Sequence, residues 1–306
     1  MNRHNLQEIE DINERITHYE SNYGCLPGLS NDVYRDVFIR QVIDSLRRIE
    51  YVGVVSRQEV SENHKNPHWD NFNPIKAAVL YRSKGCIDEA CWLVFLITHF
   101  GCSSSTKWLG VSSIYGRLGQ GIWKWQDVIK NDGDEFLDWY ERNEQEIIAR
   151  GIRFGNHRKY ESLKTGGNFK GTPYVILSYV NEIKRYGGHQ GLFDIADDCY
   201  EGGFDYIYKS LNILRFSRMG MFDYITMLNK VGLIDMRPKT PYIQGSTGPL
   251  QGMRKLLGKS GKNKSPRELN LICGAFAEFI DIDMQAIEDS ICNWQKSPGS
   301  YQYFKG

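Results

Sequence analysis

Apolar residues recur every three to four positions in three separate segments of the chain. This spacing places their side chains on one face of an α-helix, whereas the strict alternation that is typical of a strand is hard to find. The pattern therefore predicts an all-α fold. The residues that carry it are Val33, Val37, Ile43, Leu46 and Ile49 in the first segment, Leu177, Val180 and Ile183 in the second, and Ile272, Phe276, Phe279, Ile287 and Ile291 in the third.

Start and stop signals mark two helices more closely. Asp88 is a candidate N-cap for a mostly buried helix over 89–99 that ends near Gly101. Ser265 and Pro266 combine a cap with a first-turn proline, which predicts the start of one long final helix. Clusters of glycine mark loops rather than repeats, at 119–121, 166–171, 187–191 and 202–203.

The composition is that of a folded protein with little net charge. The chain has 306 residues, enough for one large domain or two closely packed ones. Its 38 Lys and Arg nearly balance 37 Asp and Glu, and the net charge of +1 excludes a globally basic protein and an acidic tail. Hydrophobic residues make up 41% and aromatic residues 13%, which argues against disorder. Any affinity for a polyanion must therefore come from local patches.

The cysteines and the first residues of the chain indicate a reducing compartment. The seven cysteines form no Cys-x-x-Cys pair and lie mostly within apolar runs, so we expect buried thiols. The chain begins without an apolar signal segment, and its longest apolar run, 90–97, is far shorter than the roughly 20 residues that span a bilayer. We therefore expect a cytoplasmic protein that does not interact with a membrane.

Charge is strongly segregated along the chain although the total nearly cancels. Residues 237–267 carry eight Lys and Arg and no acid, whereas 268–289 carry six acids and no base. A second basic stretch, 150–170, has six Lys and Arg against Glu161 alone. These stretches are either solvated faces or a groove that follows a phosphate backbone. Glycines and aromatic rings among the cations favour the groove, because rings can stack on bases.

Several common active sites are missing from the sequence. It has no His-Glu-x-x-His motif, no Cys and His spacing of a zinc site, no Gly-x-Ser-x-Gly elbow, and no Walker A order in the loop 166–172. The zinc-deaminase signature is also absent. We therefore expect neither a metal nor another cofactor.

Two segments concentrate groups that can do chemistry. The segment 155–162, Gly-Asn-His-Arg-Lys-Tyr-Glu-Ser, holds two cations, an imidazole, a phenol and a carboxylate, although Glu161 or Ser162 could instead cap a helix. The segment 215–224 predicts a helix, a glycine-marked turn and a second helix start. Asp223 lies near that second start, where it is either a reactive carboxylate or only an N-terminal cap.

Two further segments have weaker signals. The segment 245–252 combines glycines, a cap candidate and a proline ahead of the helical residues 253–257. A helix start of this kind presents free backbone N–H groups to a phosphate. In the predicted helix 89–99, Glu89 and His99 lie nearly three turns apart and cannot touch, so we interpret this segment as mainly architectural.

Taken in order, these segments resemble the α-glutamyl/putrescinyl thymine pyrophosphorylase-like proteins, relatives of the helix-hairpin-helix DNA glycosylases. The resemblance covers roughly 71–257, and it is the combination of motifs that makes it specific. The motifs are Phe72-Asn73-Pro74, Asp88 to Leu96, Thr98 to Gly101, Asn156 to Ser162, Phe216 to Tyr224 and Gly245 to Arg254.

The resemblance implies both a fold and a class of substrate. The fold is a helix-hairpin-helix DNA glycosylase-like helical domain at 66–306, with an N-terminal helical segment, 1–65, packed on it. The substrate is double-stranded DNA that carries modified pyrimidines, and no obligate protein partner is implied. Family members either build hypermodified thymine in phage DNA or, in bacterial anti-phage defence, cut modified bases out of it.

We expect a DNA glycosylase that flips a bulky modified pyrimidine, for example glucosylated hydroxymethyl-cytosine, out of phage DNA and leaves an abasic site. Hydrolysis of the N-glycosidic bond builds positive charge on the sugar, so it needs a carboxylate near the anomeric carbon. Asp223 is the first candidate, followed by Glu161, Asp205 and Glu89. Lys159 could instead form a Schiff base and give lyase activity.

A flipped base also needs a pocket with aromatic walls, polar groups that read its edge, and cations that hold the flanking phosphates. The candidates for contacts to the base or to DNA are His157, Arg158, Tyr160, Arg218, Tyr224, Tyr242, Gly245, Thr247, Gly248, Arg254 and Lys255.

Two other functions fit the same segments. An enzyme that displaces pyrophosphate from activated hydroxymethyl-uracil could use 245–252, with Arg254 and Lys255, as a pyrophosphate cradle. A non-catalytic binder of modified DNA could use the same pocket without an acid. We favour the glycosylase because an isolated globular chain can release a base by hydrolysis without an activated co-substrate.

Overall fold

A computed structural model describes residues 4–166 and 170–304, so the glycine-rich loop expected at 166–171 lies partly outside the described residues. The described residues form helices joined by turns. The helices are α1 (Leu6–Tyr23), α2 (Asp32–Arg57), α3 (Pro74–Ser83), α4 (Ile87–Phe100), α5 (Leu109–Tyr115), α6 (Trp125–Val128), α7 (Asp134–Ala149), α8 (Thr172–Arg185), α9 (His189–Asp197), α10 (Gly203–Ser210), α11 (Arg218–Val231), α12 (Gly248–Leu257), α13 (Lys259–Lys262), α14 (Pro266–Phe279) and α15 (Met284–Trp294).

The predicted all-α class is confirmed. Across 4–166 and 170–304 the only extended pairing is one isolated bridge between Ser103 and Lys107. The first and second apolar segments form α2 and α8, as their spacing predicted. The helix-hairpin-helix topology remains a prediction.

The third apolar segment forms two helices, α14 and α15, instead of the single long helix that the sequence predicted. Ser265 caps α14 as expected, in a capping box with Glu268. Asp281 then has a φ of 53°, a left-handed conformation that ends the helix, and the side chain of Asp283 caps α15. The apolar pattern continued across the break because Ile280 and Ile282 are buried in the same core.

The chain folds into two compact units. The first contains the residues up to Tyr51 together with those from Pro238 onward, and the second contains Val52 to Arg237. These units do not follow the boundary at 65/66, and the packing of a 1–65 segment on a 66–306 domain remains a prediction.

The core of the first unit is built mainly by α1, the first part of α2, α12, α14 and α15. Helix α12 packs closely on α15 because it presents glycines there. A Cβ on Gly252 would lie 2.3 Å from Cγ2 of Ile291, and one on Gly248 would lie 2.7 Å from Sγ of Cys292. Large side chains fill the rest of this core, including Phe38, Met253, Phe276 and Trp294.

The second unit is organised around α4. Every residue of α4 from Glu89 to Phe100 is buried, and α3, α5, α9 and α11 pack around it. The Glu89 carboxylate accepts hydrogen bonds from the Tyr115 hydroxyl at 2.6 Å and the Trp125 backbone N–H at 2.7 Å. Burial raises the pKa of the Glu89 carboxyl. Glu89 therefore holds the starts of α4 and α6 and the end of α5 together.

Asp88 is not the N-cap of α4, in contrast to the prediction, because the helix begins earlier and Cys86 occupies that position. Asp88 instead accepts a hydrogen bond from Nδ1 of His189 at 2.5 Å. Nε2 of His189 lies 2.6 Å from the hydroxyl of Tyr179, which lies 2.9 Å from the hydroxyl of Tyr224. This series of hydrogen bonds, Asp88–His189–Tyr179–Tyr224, begins at an exposed carboxylate, continues through three buried side chains, and links α4, α9, α8 and α11.

The cysteines are all free thiols, but only Cys91 and Cys273 are buried. The expectation of buried thiols was therefore wrong for the other five, because an apolar neighbour in sequence does not fix which way a side chain points. In the described ranges, no helix has an apolar stretch of the length that crossing a bilayer requires.

Candidate functional site

One cluster of the predicted site residues lies in the second unit, where the segment 155–162 meets the start of α11. Two glycines bring this segment against the end of α4. The backbone N–H of Gly155 donates to the carbonyl of Phe100 at 2.7 Å, and a Cβ on Gly155 would lie 3.0 Å from Cα of Gly101. Gly101 also has a φ of 65°, which ends α4 as predicted. The turn Asn156–Arg158 is thus held next to the core of the unit.

Arg158 is the buried centre of this cluster, with 6% of its surface exposed. Its guanidinium carbon lies 4.2 Å from the ring centroid of Phe216, a cation–π contact. Gly220 makes room for the same group, because a Cβ there would lie 2.6 Å from Nη1 of Arg158. Gly220 lies inside the first turn of α11, so the prediction of a glycine-marked turn at this position was wrong.

Two nitrogens of Arg158, Nε and Nη2, are buried and have no hydrogen-bond partner among the groups that the structure describes. Burial lowers the pKa of Arg158, while the carboxylates of Glu161 and Asp223 act in the opposite direction. A guanidinium keeps its charge in proteins, so a buried cation here has two unused donors. Unpaired buried donors are rare in folded proteins, and a ligand atom or an ordered water usually satisfies them.

Asp223 lies in the second turn of α11, whose N-cap position is Ser217. It therefore does not cap α11, which removes the structural alternative that the sequence left open. Its side chain is 23% exposed, and Oδ2 lies 3.5 Å from Nδ1 of His157. Asp223 thus has an imidazole at its side and the Arg158 cation nearby, and it still reaches solvent.

The carboxylate of Glu161 forms an ion pair with a second arginine. The Glu161 side chain is 7% exposed and accepts a hydrogen bond from Nε of Arg215 at 2.8 Å. Nη2 of Arg215 also donates to the carbonyl of Tyr160 at 2.8 Å. Arg215 has a φ of 60°, a conformation that non-glycine residues rarely adopt, and these contacts hold it there. Glu161 therefore fixes the segment 155–162 to the chain ahead of α11.

The remaining predicted residues of this segment lie on the surface. Lys159 is exposed, and its ammonium lies 5.1 Å from the ring centroid of Tyr160. An exposed ammonium lacks the desolvation that activates a Schiff-base lysine, which disfavours the lyase role. Tyr160 is 78% exposed and can stack on a base, and Arg218 is partly exposed at the first position of α11.

Tyr224 lies elsewhere than expected. It is fully buried, and its hydroxyl is bonded to that of Tyr179, so it is part of the core of the unit and not an exposed wall for a base. The sequence could not show this, because Asp223 and Tyr224 are neighbours on a helix and therefore point about 100° apart.

Sequence reasoning missed His99 as a neighbour of this cluster. Burial, followed by the charges of Arg158 and Arg215, holds the pKa of His99 well below its usual range, so the ring is neutral. Its Nε2 lies 3.0 Å from Oγ1 of Thr172, and no described group forms a hydrogen bond with Nδ1. Phe216 was missed as well, although it lies between two arginines in the motif 215–218, a signal that sequence alone could have given.

The other predicted residues lie in the first unit. Tyr242, Gly245, Thr247 and Gly248 lie ahead of or at the start of α12, whereas Arg254 and Lys255 lie in its last turn. Helix α12 begins at Gly248, five residues earlier than predicted. Six residues of helix, about 9 Å, separate Gly248 from Arg254, so the glycines and these cations lie at opposite ends of α12. The cations are next to the backbone carbonyls of the last turn, where they are electrostatically favourable.

Thr247 makes no capping hydrogen bond through its side chain, and Gly245 has a φ of 76° in the preceding turn. Their predicted contact with phosphate remains a prediction. No group of three or more His, Cys, Asp and Glu side chains that could hold a metal occurs within the described part of the chain.

The chain belongs to a known class of proteins, the alpha-glutamyl/putrescinyl thymine pyrophosphorylase family. More particularly, the chain is a member of clade 3 of this family, whose model matches residues 33–306. The predicted family is thereby confirmed. No curated protein and no solved structure matches the chain.

Proposed function

We propose that the protein is a DNA glycosylase that removes a bulky modified pyrimidine from phage DNA in anti-phage defence. The DNA would be double-stranded, and the target base would be flipped out of the helix before the reaction. Family membership supports DNA as the substrate, since the family description names a modified thymine. The observation that carries the proposal is the position of Asp223, a partly exposed carboxylate next to a buried cation.

Asp223 would stabilise the positive charge that develops on the sugar as the N-glycosidic bond breaks. An ionised carboxylate next to the anomeric carbon favours this transition state over the ground state, which is how it would accelerate the reaction. A water molecule then completes the hydrolysis and leaves an abasic site. His157 lies 3.5 Å from the same carboxylate and would keep it oriented.

The surface next to Asp223 provides groups for the DNA. Tyr160 offers an exposed ring for stacking, and Lys159 and Arg218 offer cations for the flanking phosphates. In the first unit, Tyr242, Thr247, Arg254 and Lys255 are further candidates for contacts to the backbone of the duplex.

The first prediction is that Asp223→Asn slows single-turnover release of the modified base by about 100-fold or more. Asparagine keeps the shape of the side chain but removes the charge that the developing cation needs. Rates are measured on glucosylated phage DNA, and DNA binding and thermal unfolding are measured on the same preparation. Binding and stability should change little.

The matched control is Asp235→Asn, which neutralises an exposed carboxylate of the same unit. It should release the base at the rate of the unchanged protein. If Asp223→Asn stays within tenfold of the unchanged protein, Asp223 is not the catalytic carboxylate, and Asp205 should be replaced next.

The family description favours a second function, displacement of pyrophosphate from an activated base in DNA. The two reactions differ in their products. A glycosylase releases a free base and makes DNA alkali-labile, whereas the other enzyme releases pyrophosphate and leaves the strand intact. Incubation with DNA that carries pyrophosphorylated hydroxymethyl-uracil, with and without an amine, separates them. Tight binding without either product would indicate a non-catalytic binder.

A further inference from the structure

We infer that Arg158 reads the O2 and N3 atoms of a flipped cytosine-type base, and so selects modified cytosine over modified uracil or thymine. This inference rests on the proposed function and names the base that the same site takes. It is carried by two buried donors of Arg158, Nε and Nη2, for which the described part of the chain provides no partner. We call this pair of N–H groups the fork.

The fork has a fixed shape. In a planar guanidinium, Nε and Nη2 lie on the same edge, and their N–H groups point in the same direction. They are therefore satisfied best by two neighbouring acceptors in one plane. The contact with Phe216 and the close approach to Gly220 restrict rotation of the guanidinium, so the fork is oriented before any ligand arrives. Such preorganisation strengthens binding, because the guanidinium loses little conformational freedom when a ligand binds.

The pyrimidine bases differ on the edge that the fork would contact. Cytosine presents two adjacent acceptors, N3 and O2. Thymine and uracil carry a hydrogen on N3, so one N–H of the fork would face another N–H. A bulky group at C5 lies on the opposite side of the ring from O2, and it leaves this edge free whatever its chemistry.

A base fits the fork better than a phosphate because of the surrounding charges. Arg158 and Arg215 are already balanced by the carboxylates of Glu161 and Asp223. A neutral base adds no charge to this balanced cluster. A phosphate would bring one or two negative charges close to two carboxylates, which is unfavourable in a partly buried site.

The test compares two duplexes of one sequence that differ at a single base. One carries glucosylated 5-hydroxymethylcytosine and the other glucosylated 5-hydroxymethyluracil, so the sugar is the same. Release is measured under single-turnover conditions. Binding is measured with 2′-fluoro-arabino versions of both nucleotides, which resist hydrolysis. We expect the unchanged protein to bind and cleave the cytosine duplex at least about tenfold better, since buried donors are left unpaired by the wrong base.

Arg158→Lys keeps the positive charge and removes the fork. We expect it to weaken binding and release of the cytosine duplex and to bring the ratio between the duplexes close to one. Arg153→Lys, at an exposed position of the same basic stretch, is the matched control and should keep the ratio. The comparison of the two duplexes with the unchanged protein needs no variant, so the inference stays testable if Arg158→Lys fails to fold.

The outcomes separate this inference from the proposed function. Preferential binding of the cytosine duplex without base release would support the inference and reject the glycosylase. Release of both bases at equal rates would support the glycosylase and overturn the inference. A preference for uracil, or no preference for either modified duplex over unmodified DNA, would also overturn it. If Arg158→Lys weakened both duplexes alike, the fork would hold a backbone phosphate instead.

Discussion

Gly220 lies in the first turn of α11, at a position where helix propensity alone would favour alanine by about 1 kcal/mol. The structure reverses this expectation. A Cβ at this position would lie 2.6 Å and 2.7 Å from the two terminal nitrogens of Arg158, which is itself held against Phe216. We expect Gly220→Ala to lower the free energy of unfolding by about 1–3 kcal/mol, as overpacking does, and to slow base release by displacing the guanidinium.

Gly53 in α2 is the matched control for this substitution, because no atom lies within 4 Å of a Cβ built there. Gly53→Ala should be neutral or stabilising by up to about 1 kcal/mol. Both variants are compared by urea denaturation, and release is assayed in parallel. A Gly220→Ala protein as stable as Gly53→Ala would show that Arg158 can move aside at little cost.

The residues of the candidate site could be predicted from the sequence more easily than their partners. The density of charge around 155–162 and 215–224 indicated Asp223 and Arg158. The sequence could not show that Gly220 accommodates Arg158, or that Glu161 is held by Arg215, since these pairs lie more than 50 residues apart. The sequence left helix capping open as an alternative role for Asp223. Capping depends on neighbouring residues in the chain, whereas the contacts of the site are tertiary and cannot be deduced from neighbouring residues.

At the scale of elements, α12 carries the centre of the acid-free stretch 237–267. If this helix contacts DNA, replacing Arg254 and Lys255 together with Gln should reduce the magnitude of the salt slope of binding by roughly two units, at about 0.9 per phosphate contact. The slope is measured as the logarithm of the binding constant against the logarithm of the salt concentration. Binding should weaken to a similar extent on all sequences.

A second pair of cations provides the control for this experiment. Lys184 and Arg185 lie in the last turn of α8, as Arg254 and Lys255 lie in the last turn of α12. Both pairs also interact favourably with a helix C-terminus. Lys184 and Arg185 additionally form ion pairs with Asp132 and Glu182, so thermal unfolding of this variant is measured alongside the salt slope. Replacing Lys184 and Arg185 with Gln should leave the salt slope unchanged. If both double variants keep the salt slope of the unchanged protein, α12 does not contact DNA.

Elements were predictable where the pattern is local and missed where it is not. Helices α2 and α8 follow directly from one continuous apolar face. The break between α14 and α15 was missed because the core on both sides of Asp281 is the same, so the apolar spacing continues through a left-handed residue. The sequence predicts the start of α12 too late because glycines are typical of loops, whereas here Gly248 and Gly252 lie within the helix and face α15.

At the scale of the whole molecule, the buried histidines predict how stability depends on pH. Burial lowers the pKa values of His4, His64, His99 and His189. Since a histidine in an unfolded chain has a pKa of about 6.5, the unfolded chain binds more protons than the folded protein below that pH. Glu89, whose raised pKa acts in the opposite direction, is outnumbered by these four histidines, so stability is full above about pH 7 and falls as the pH drops through 6.5. Each histidine contributes at most about 1.4 kcal/mol per pH unit.

The measurement is the free energy of unfolding in urea at pH 7.5, 6.5 and 5.5. We expect a decrease at each step, and a steeper one below pH 6.5. Asp88 does not change the free energy of unfolding between pH 7.5 and 5.5. The hydrogen bond from His189 lowers the pKa of Asp88, so the stability that Asp88 contributes is lost only in more acidic solution. Equal stability at pH 7.5 and 5.5 would contradict the burial of these rings in the folded state.

The hydrogen-bonded series Asp88–His189–Tyr179–Tyr224 permits only one arrangement of its hydrogens. An ionised Asp88 only accepts, so Nδ1 of His189 carries the proton, and because burial keeps the ring neutral, Nε2 is left bare. Tyr179 must then donate to His189 and accept from Tyr224. Every hydroxyl in the series thus points toward Asp88. One charge at the surface of α4 thus sets the direction of every hydrogen bond in a series that ends inside α11, at the residue that follows Asp223 in the chain.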